Sequence, residues 1–392
     1  MRRFLVLFLL SVLLAPAQQF SKGNWQTDRS KKSIDLNDLK LGGPPKDGIP
    51  AIREPEFVSA EDAASWVAGR EPVIVVELGG EARAYPLQIL VWHEMVADQI
   101  GDVPLLVTYC PLCNSSIAFD RRVDGQVYDF GVSGMLRHSD MIMFDRQTDS
   151  LWQQLTGEAV VGNLTGKKLD IVTSQVVDFA SFAKNFPSGK VLGRPTGHNR
   201  PYGSTPYAGY EQAGRVMFPA LVKRPIGPPL QRVVSFTLEG KSRAYTFGRL
   251  RQAGVVDGKI KKTRYVVFYD GAALSSMEQK QIARSRQVGS AGVFSPELDG
   301  TLLKFRFTDG KILDKGTGST WNVLGMATDG ALTGQRLKVI PHGVFYAFAW
   351  MAFAPKTDLI GVPVQRPAGG FSVQQGGIGS VPGAGGGPGG PR

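Results

Sequence analysis

A chain of 392 residues that is 42% hydrophobic and holds two cysteines has enough apolar side chains to bury a core without a disulfide framework. Its formal net charge of +11 is spread along the chain, with no dense Lys/Arg block or basic helix, so no nucleic-acid partner is expected.

The first residues, MRRFLVLFLLSVLLAPAQQF, set Arg2 and Arg3 ahead of an apolar run from Phe4 to Leu14 and small residues at Ala15 and Ala17. That is the pattern of a secretory signal peptide, 1–17. The run is shorter than the roughly 20 residues that cross a bilayer, so no transmembrane segment is expected after cleavage. No cysteine follows it to carry a lipid, and the expected location is periplasmic or secreted.

Residues 18–50 read as an extended lead-in. From 51 to 194 the pattern is mostly strand. Ser59 is a candidate N-cap for a helix over 60–68. VIVVEL and ARAYPL flank Gly79-Gly80 as a hairpin. A helix is expected over 87–99, then a strand, LLVTYC, ending at Cys110. SIAFDRRVDGQVYDFGV alternates around Asp124-Gly125 as a second hairpin, and a further helix is expected over 178–185. Residues 195–230 are dense in Pro, Gly and Tyr and read as a long ordered connection. A second unit follows over 231–363, then a Gly-rich tail, 364–392, whose composition predicts disorder.

The second unit repeats the first. VVELGGEARAYPLQIL (75–90) returns as SFTLEGKSRAYTFGRL (235–250), MFDRQTDSLW (143–152) as ILDKGTGSTW (312–321), and GNLTGKKLDIV (162–172) as GALTGQRLKVI (330–340). Arg83, Tyr85, Asp145 and Trp152 meet Arg243, Tyr245, Asp314 and Trp321. The expected architecture is a β-rich α+β fold of two tandem duplicated repeats packed as a pseudo-twofold unit, with few short helices. Cys110 meets Asp270 and His93 meets nothing similar, so chemistry is expected in the first repeat alone.

Both cysteines lie in Cys110-Pro-Leu-Cys113, and three readings stay open: a thiol redox couple, half of a metal site, and a structural disulfide. A thioredoxin-type couple needs a following helix, but NSSIAFDRR alternates like a strand. Strand, Cys-x-x-Cys and then Asn114, which tolerates positive φ, instead suit a knuckle that aims both sulfurs at one point. Its other ligands must be histidine, carboxylate or methionine. His93 is the histidine expected nearest, which makes Cys110, Cys113 and His93 the candidate metal and catalytic residues. Thiolate and imidazole suit copper and zinc alike. A redox couple would work with a periplasmic thiol oxidoreductase, with Cys110 as the attacking thiol. Asp140 and Arg146 are candidates for a polar pocket, and Arg200 and Tyr202 for a loop folded over a small-molecule ligand. That ligand-binding reading with a structural disulfide is the main rival. An acid/base enzyme using Asp140 and His93 is the weaker one.

The blocks EFVSAEDAASWV, PVIVVELGGEARAYPLQILVWHE, TYCPLCNSSIAFDRRVDG, FGVSG, SDMIMFDRQTDSLWQQLTGEAV and TGHNRPYGSTPYAGY together resemble the DUF3179 family of exported bacterial proteins. The resemblance places His93 in a WHE pattern and sets His138 and His198 at positions where the family has other residue types. It implies no activity, since the family is one of unknown function.

Overall fold

In the computed structural model, which describes residue 20 and residues 24–362, strands dominate and no described helix exceeds seven residues. The expected leader, 1–17, and the tail, 364–392, lie outside the described residues. None of the described helices is long and apolar enough to cross a membrane.

The Gly79-Gly80 hairpin forms as read. Both glycines have positive φ, and Pro72–Leu78 pairs with Glu81–Pro86. The helix expected over 60–68 is the single turn Ala60–Ala63, capped by Ser59, whose side chain accepts from Asp62 N. The one expected over 178–185 is Phe179–Asn185, with Asp178 as its cap. The helix expected over 87–99 stops at His93, because Glu94 takes the left-handed conformation (φ 57°). Met95–Ile100 then runs as a strand against Val103–Cys110. The mixed preferences of residues 95–100 are decided by cross-strand pairing. Asp124-Gly125 turns a hairpin of only two residues a side, Arg122–Val123 with Gln126–Val127.

The first half builds three sheets. One runs Ser174–Asp178, Pro72–Leu78, Glu81–Pro86, Lys190–Leu192, Phe57–Ser59, with Lys190–Leu192 parallel to Glu81–Pro86. The second is Asp170–Val172, Ser115–Asp120, Val103–Cys110, Met95–Ile100. The third is Leu39–Leu41, Phe130–Arg137, Asp140–Asp145, Leu151–Gln153, Glu158–Val161, so part of the lead-in segment is pinned as an edge strand. The second half follows the same order. His342–Tyr346, Arg232–Leu238, Lys241–Thr246 and Asp358–Ile360 form one sheet, again with a parallel last strand. Val255–Ile260, Thr263–Asp270 and Ser290–Phe294 form another, and Phe305–Thr308 to Ala327–Asp329 a third. The halves pack strand against strand, His342–Tyr346 near Ser115–Asp120 and Ser174–Asp178 near Ser290–Phe294.

Side chains repeat as well. Trp152 Nε1 donates to Asp145 Oδ2 (2.9 Å) and Trp321 Nε1 to Asp314 Oδ2 (3.4 Å), each aspartate also accepting from a threonine, Thr148 or Thr317. Arg83 and Tyr85 converge on the buried Asp98, whose Oδ2 takes the Tyr85 hydroxyl at 2.5 Å. Arg243 and Tyr245 converge instead on the Tyr265 hydroxyl, at 2.6 and 2.7 Å. The cross-strand pair Asp98 with Leu105 has its counterpart at the 160-residue offset in Gly258 with Tyr265, where a Cβ on Gly258 would lie 2.2 Å from the Tyr265 oxygen. Both halves hold an Arg/Tyr pair, anchored by Asp98 in the first and by the facing strand's Tyr265 in the second.

Removing one partner of a buried ion pair strands the other. Asp98→Ala is expected to cost about 3 kcal/mol in urea unfolding, and a loss under about 1 kcal/mol would mean that Glu81, already 2.9 Å from Arg83, suffices to hold its charge.

Candidate metal centre

Cys110 ends the strand Val103–Cys110 inside a four-stranded sheet, and its cross-strand partner is Ser115. Only four residues separate the two. Pro111 starts a 3-10 turn over Pro111–Cys113, and Asn114 closes it at φ 49°, ψ 38°, its amide donating to Pro111 O at 3.1 Å. This is the expected knuckle. Both cysteines are buried and carry free, unbonded thiols.

Asp140 arrives from another sheet. Phe130–Arg137 and Asp140–Asp145 are joined by the two residues His138 (φ 53°) and Ser139 (φ 66°), the double positive φ of a type I′ hairpin. The turn sets Asp140 at the head of its strand with no solvent exposure. Its Oδ2 accepts from Gln153 Nε2 (2.7 Å) and Leu155 N (2.9 Å), whereas Oδ1 is buried without a hydrogen-bond partner. One ligand atom from each of Cys110, Cys113 and Asp140 lies within 4.8 Å of the others.

Titration follows burial. Desolvation raises the Cys113 thiol far above its usual range, and the neighbouring Cys110 adds to this. Desolvation also raises Cys110, against a lowering contact from Cys113. The Asp140 carboxyl is pushed up to about 6 by burial, opposed by the Leu155 amide, Gln153 and the neighbouring Cys113 and Cys110 thiols. Glu94, buried at the end of its helix, is pushed up to about 8 by burial, opposed by the Tyr207 hydroxyl at 3.2 Å. Among the described residues, no Lys or Arg hydrogen-bonds to either carboxyl. Four acidic groups thus sit in one interior region without a cation. Such thiols are poor nucleophiles at neutral pH, and a metal ion would take the place of their protons.

The connecting segment closes the region. The Tyr210 hydroxyl donates to Leu112 O (3.1 Å) in the Cys-x-x-Cys turn, Tyr207 to Glu94, and Ser139 Oγ to Phe218 O (2.6 Å).

His93 is not among the clustered ligand atoms. Its Nδ1 lies 2.7 Å from Pro50 O, which can only accept, so that nitrogen carries the proton and Nε2 accepts from the Tyr202 hydroxyl at 2.6 Å. Burial lowers it to about 4, so the ring is neutral. The cluster in the structure groups Asp140, and not His93, with the two cysteines. Tyr202 binds His93 and Thr196 (2.5 Å), and the half-buried Arg200 lies close enough to His93 to act on its charge, so both belong to a polar group around His93. Arg146 points elsewhere, pairing with Asp47 through two bonds of 2.7 and 2.8 Å. His138 caps the connecting segment by accepting from Leu221 N, and His342 serves Ile340 O. In the second half the matching turn is Asp309-Gly310, followed by the exposed Lys311, and Ala273 stands at the Cys113 offset. Asp270 stands at the Cys110 offset, and no second group of three ligand atoms is found among the described residues.

The family model described as a protein of unknown function (DUF3179) matches residues 46–357. No curated protein and no solved structure matches the chain.

A carboxyl whose folded pKa is raised binds more protons folded than unfolded, so stability falls as pH rises through the interval between the two values. For Asp140 and Glu94 that window runs from about 4 to about 8. Metal-free protein is expected to lose stability across it in urea unfolding with chelator present, Asp140 alone accounting for roughly 3 kcal/mol. Asp140→Asn should flatten the lower part, and a wild-type profile that rises through this window would contradict the burial argument.

Proposed function

The chain belongs to the DUF3179 family, and from its geometry we propose that it is an exported metal-binding protein holding one transition-metal ion on Cys110 Sγ, Cys113 Sγ and Asp140 Oδ1. The observation that carries this reading is the buried Asp140 Oδ1, which has no hydrogen-bond partner and stands with two unbonded thiols. An unpaired buried oxygen costs about 1–3 kcal/mol unless something bonds to it. A divalent ion does so, and it neutralises the thiolates at the same time.

Zinc is the preferred ion. Copper(I) favours sulfur alone, whereas zinc accepts thiolate and carboxylate together. Three protein ligands leave one tetrahedral position open, the pattern of catalytic rather than structural zinc. Glu94, near enough to Asp140 and Cys110 to couple with their charges, and Tyr207 beside it would be the nearby proton-bearing groups. Thiol redox chemistry is disfavoured because burial holds both thiols protonated. In an oxidising compartment, reached by cleavage near Ala17, metal ligation would also protect the pair from closing into a disulfide. Part of the same reading is a tandem duplication whose second copy has kept the scaffold and lost the ligands. The moved anchor, Asp98 to Tyr265, supports it, since a compensated swap inside a shared Arg/Tyr pair is hard to reach by chance convergence.

Protein purified from its exported compartment without chelator is expected to carry one metal per chain by elemental analysis. Cys110→Ser and Asp140→Ala should each weaken zinc affinity by more than about 100-fold, beyond the usual effect of an outer partner. His93→Gln should keep the metal, because its ring lies outside the donor set. Metal retained by Cys110→Ser or Asp140→Ala, or lost from His93→Gln alone, would refute the assignment.

A further inference from the structure

At the seam between the halves, away from the cysteines, an open groove of about 520 Å³ is bounded by Gly69 and Arg70 from the first half and by Leu274, Arg284, Ser285 and Arg286 from the second. This volume falls in the range of small-molecule sites. Its polar groups are unevenly satisfied. Arg286 is held by Glu211 (2.9 Å) and Glu278 (3.7 Å). Glu211 is itself buried and fixed by Arg232, Ser275 (2.9 Å) and Tyr346 (2.7 Å). Those four charges, two arginines and two glutamates, cancel. Arg70 and Arg284 remain: their guanidinium groups make no ion pair or hydrogen bond among the described residues, and nothing acidic lines the groove. Ser285 Oγ accepts from Gln279 N (3.1 Å), which leaves its own proton free to donate.

We propose that this groove binds a small oxyanion ligand, bearing phosphate or carboxylate oxygens, between Arg70 and Arg284, with Arg286 and Ser285 Oγ as further donors. Guanidinium groups meet such oxygens in paired, planar bonds, and a concave wall raises the local potential above that of two arginines on a convex surface. Arg286 is set in place by the buried Glu211 before any ligand arrives, so little ordering entropy is lost at that wall. Because the two unpaired arginines come from different halves, the bound anion would also tie the halves together. The inference is independent of the metal centre.

The test is calorimetric titration of the mature protein with inorganic pyrophosphate and, separately, citrate, at low salt where screening is weak. Saturable binding of at least one probe at one site per chain is expected, with Arg70→Ser/Arg284→Ser weakening it by at least about 10-fold. The control is Arg306→Ser/Lys311→Ser, which removes the same charge from an exposed hairpin of the second half and should change affinity less than about 2-fold. Preference for pyrophosphate or citrate would identify the oxyanion. Absence of binding by both probes up to about 10 mM, the concentration of a very weak complex, or an equal loss in the control would overturn the proposal. The Arg70 and Arg284 side chains have no ion pair or hydrogen bond to lose among the described residues, so an unchanged melting temperature shows that the variant is folded.

Discussion

Two thiols and a carboxyl share one buried volume with no cation to balance them, and this imbalance organises the first half of the molecule. Proteins tolerate buried acids by pairing them, protonating them or binding metal. Here the pairing is partial: Gln153 and Leu155 N serve one oxygen of Asp140 and leave the other with only the two thiols as neighbours. Without metal, protons must make up the difference, which is why burial raises every acid of the group. With metal, the same residues become a ligand set.

Two turns hold that arrangement, each with left-handed residues that are not glycine. Asn114 closes the Cys-x-x-Cys knuckle, and His138-Ser139 reverses the chain just before Asp140. Both belong to antiparallel sheets whose registers fix which side chains face inward. The connecting segment then seals the region with hydroxyls from Tyr207 and Tyr210 and a backbone carbonyl at Phe218. The proposed ligand atoms thus come from two sheets under one covering segment, which would hold them in fixed geometry.

Much of the scaffold was legible because it rests on local rules. The Gly79-Gly80 hairpin, the Ser59 and Asp178 caps and the Asn114 position follow from residues that have few alternatives. The helix over 87–99 failed because MVADQI has no strong preference of its own, and pairing with VPLLVT decided it. Asp140 was visible as a polar candidate, but not as the partner of the cysteines. Its turn, His-Ser, lacks the Asn-Gly signature that announces a type I′ hairpin, and the contact joins two sheets. His93 misled through its neighbour. It is Glu94, one residue on, that turns toward Tyr207 and the acidic group, while the His93 ring faces Pro50 and Tyr202.

X-ray absorption at the zinc edge, on protein loaded with one equivalent of zinc, tests the centre most directly. The account predicts two sulfur scatterers at about 2.3 Å and a lighter shell of oxygen near 2.0 Å, with no imidazole signature. A first shell lacking sulfur, or one containing histidine, would contradict it.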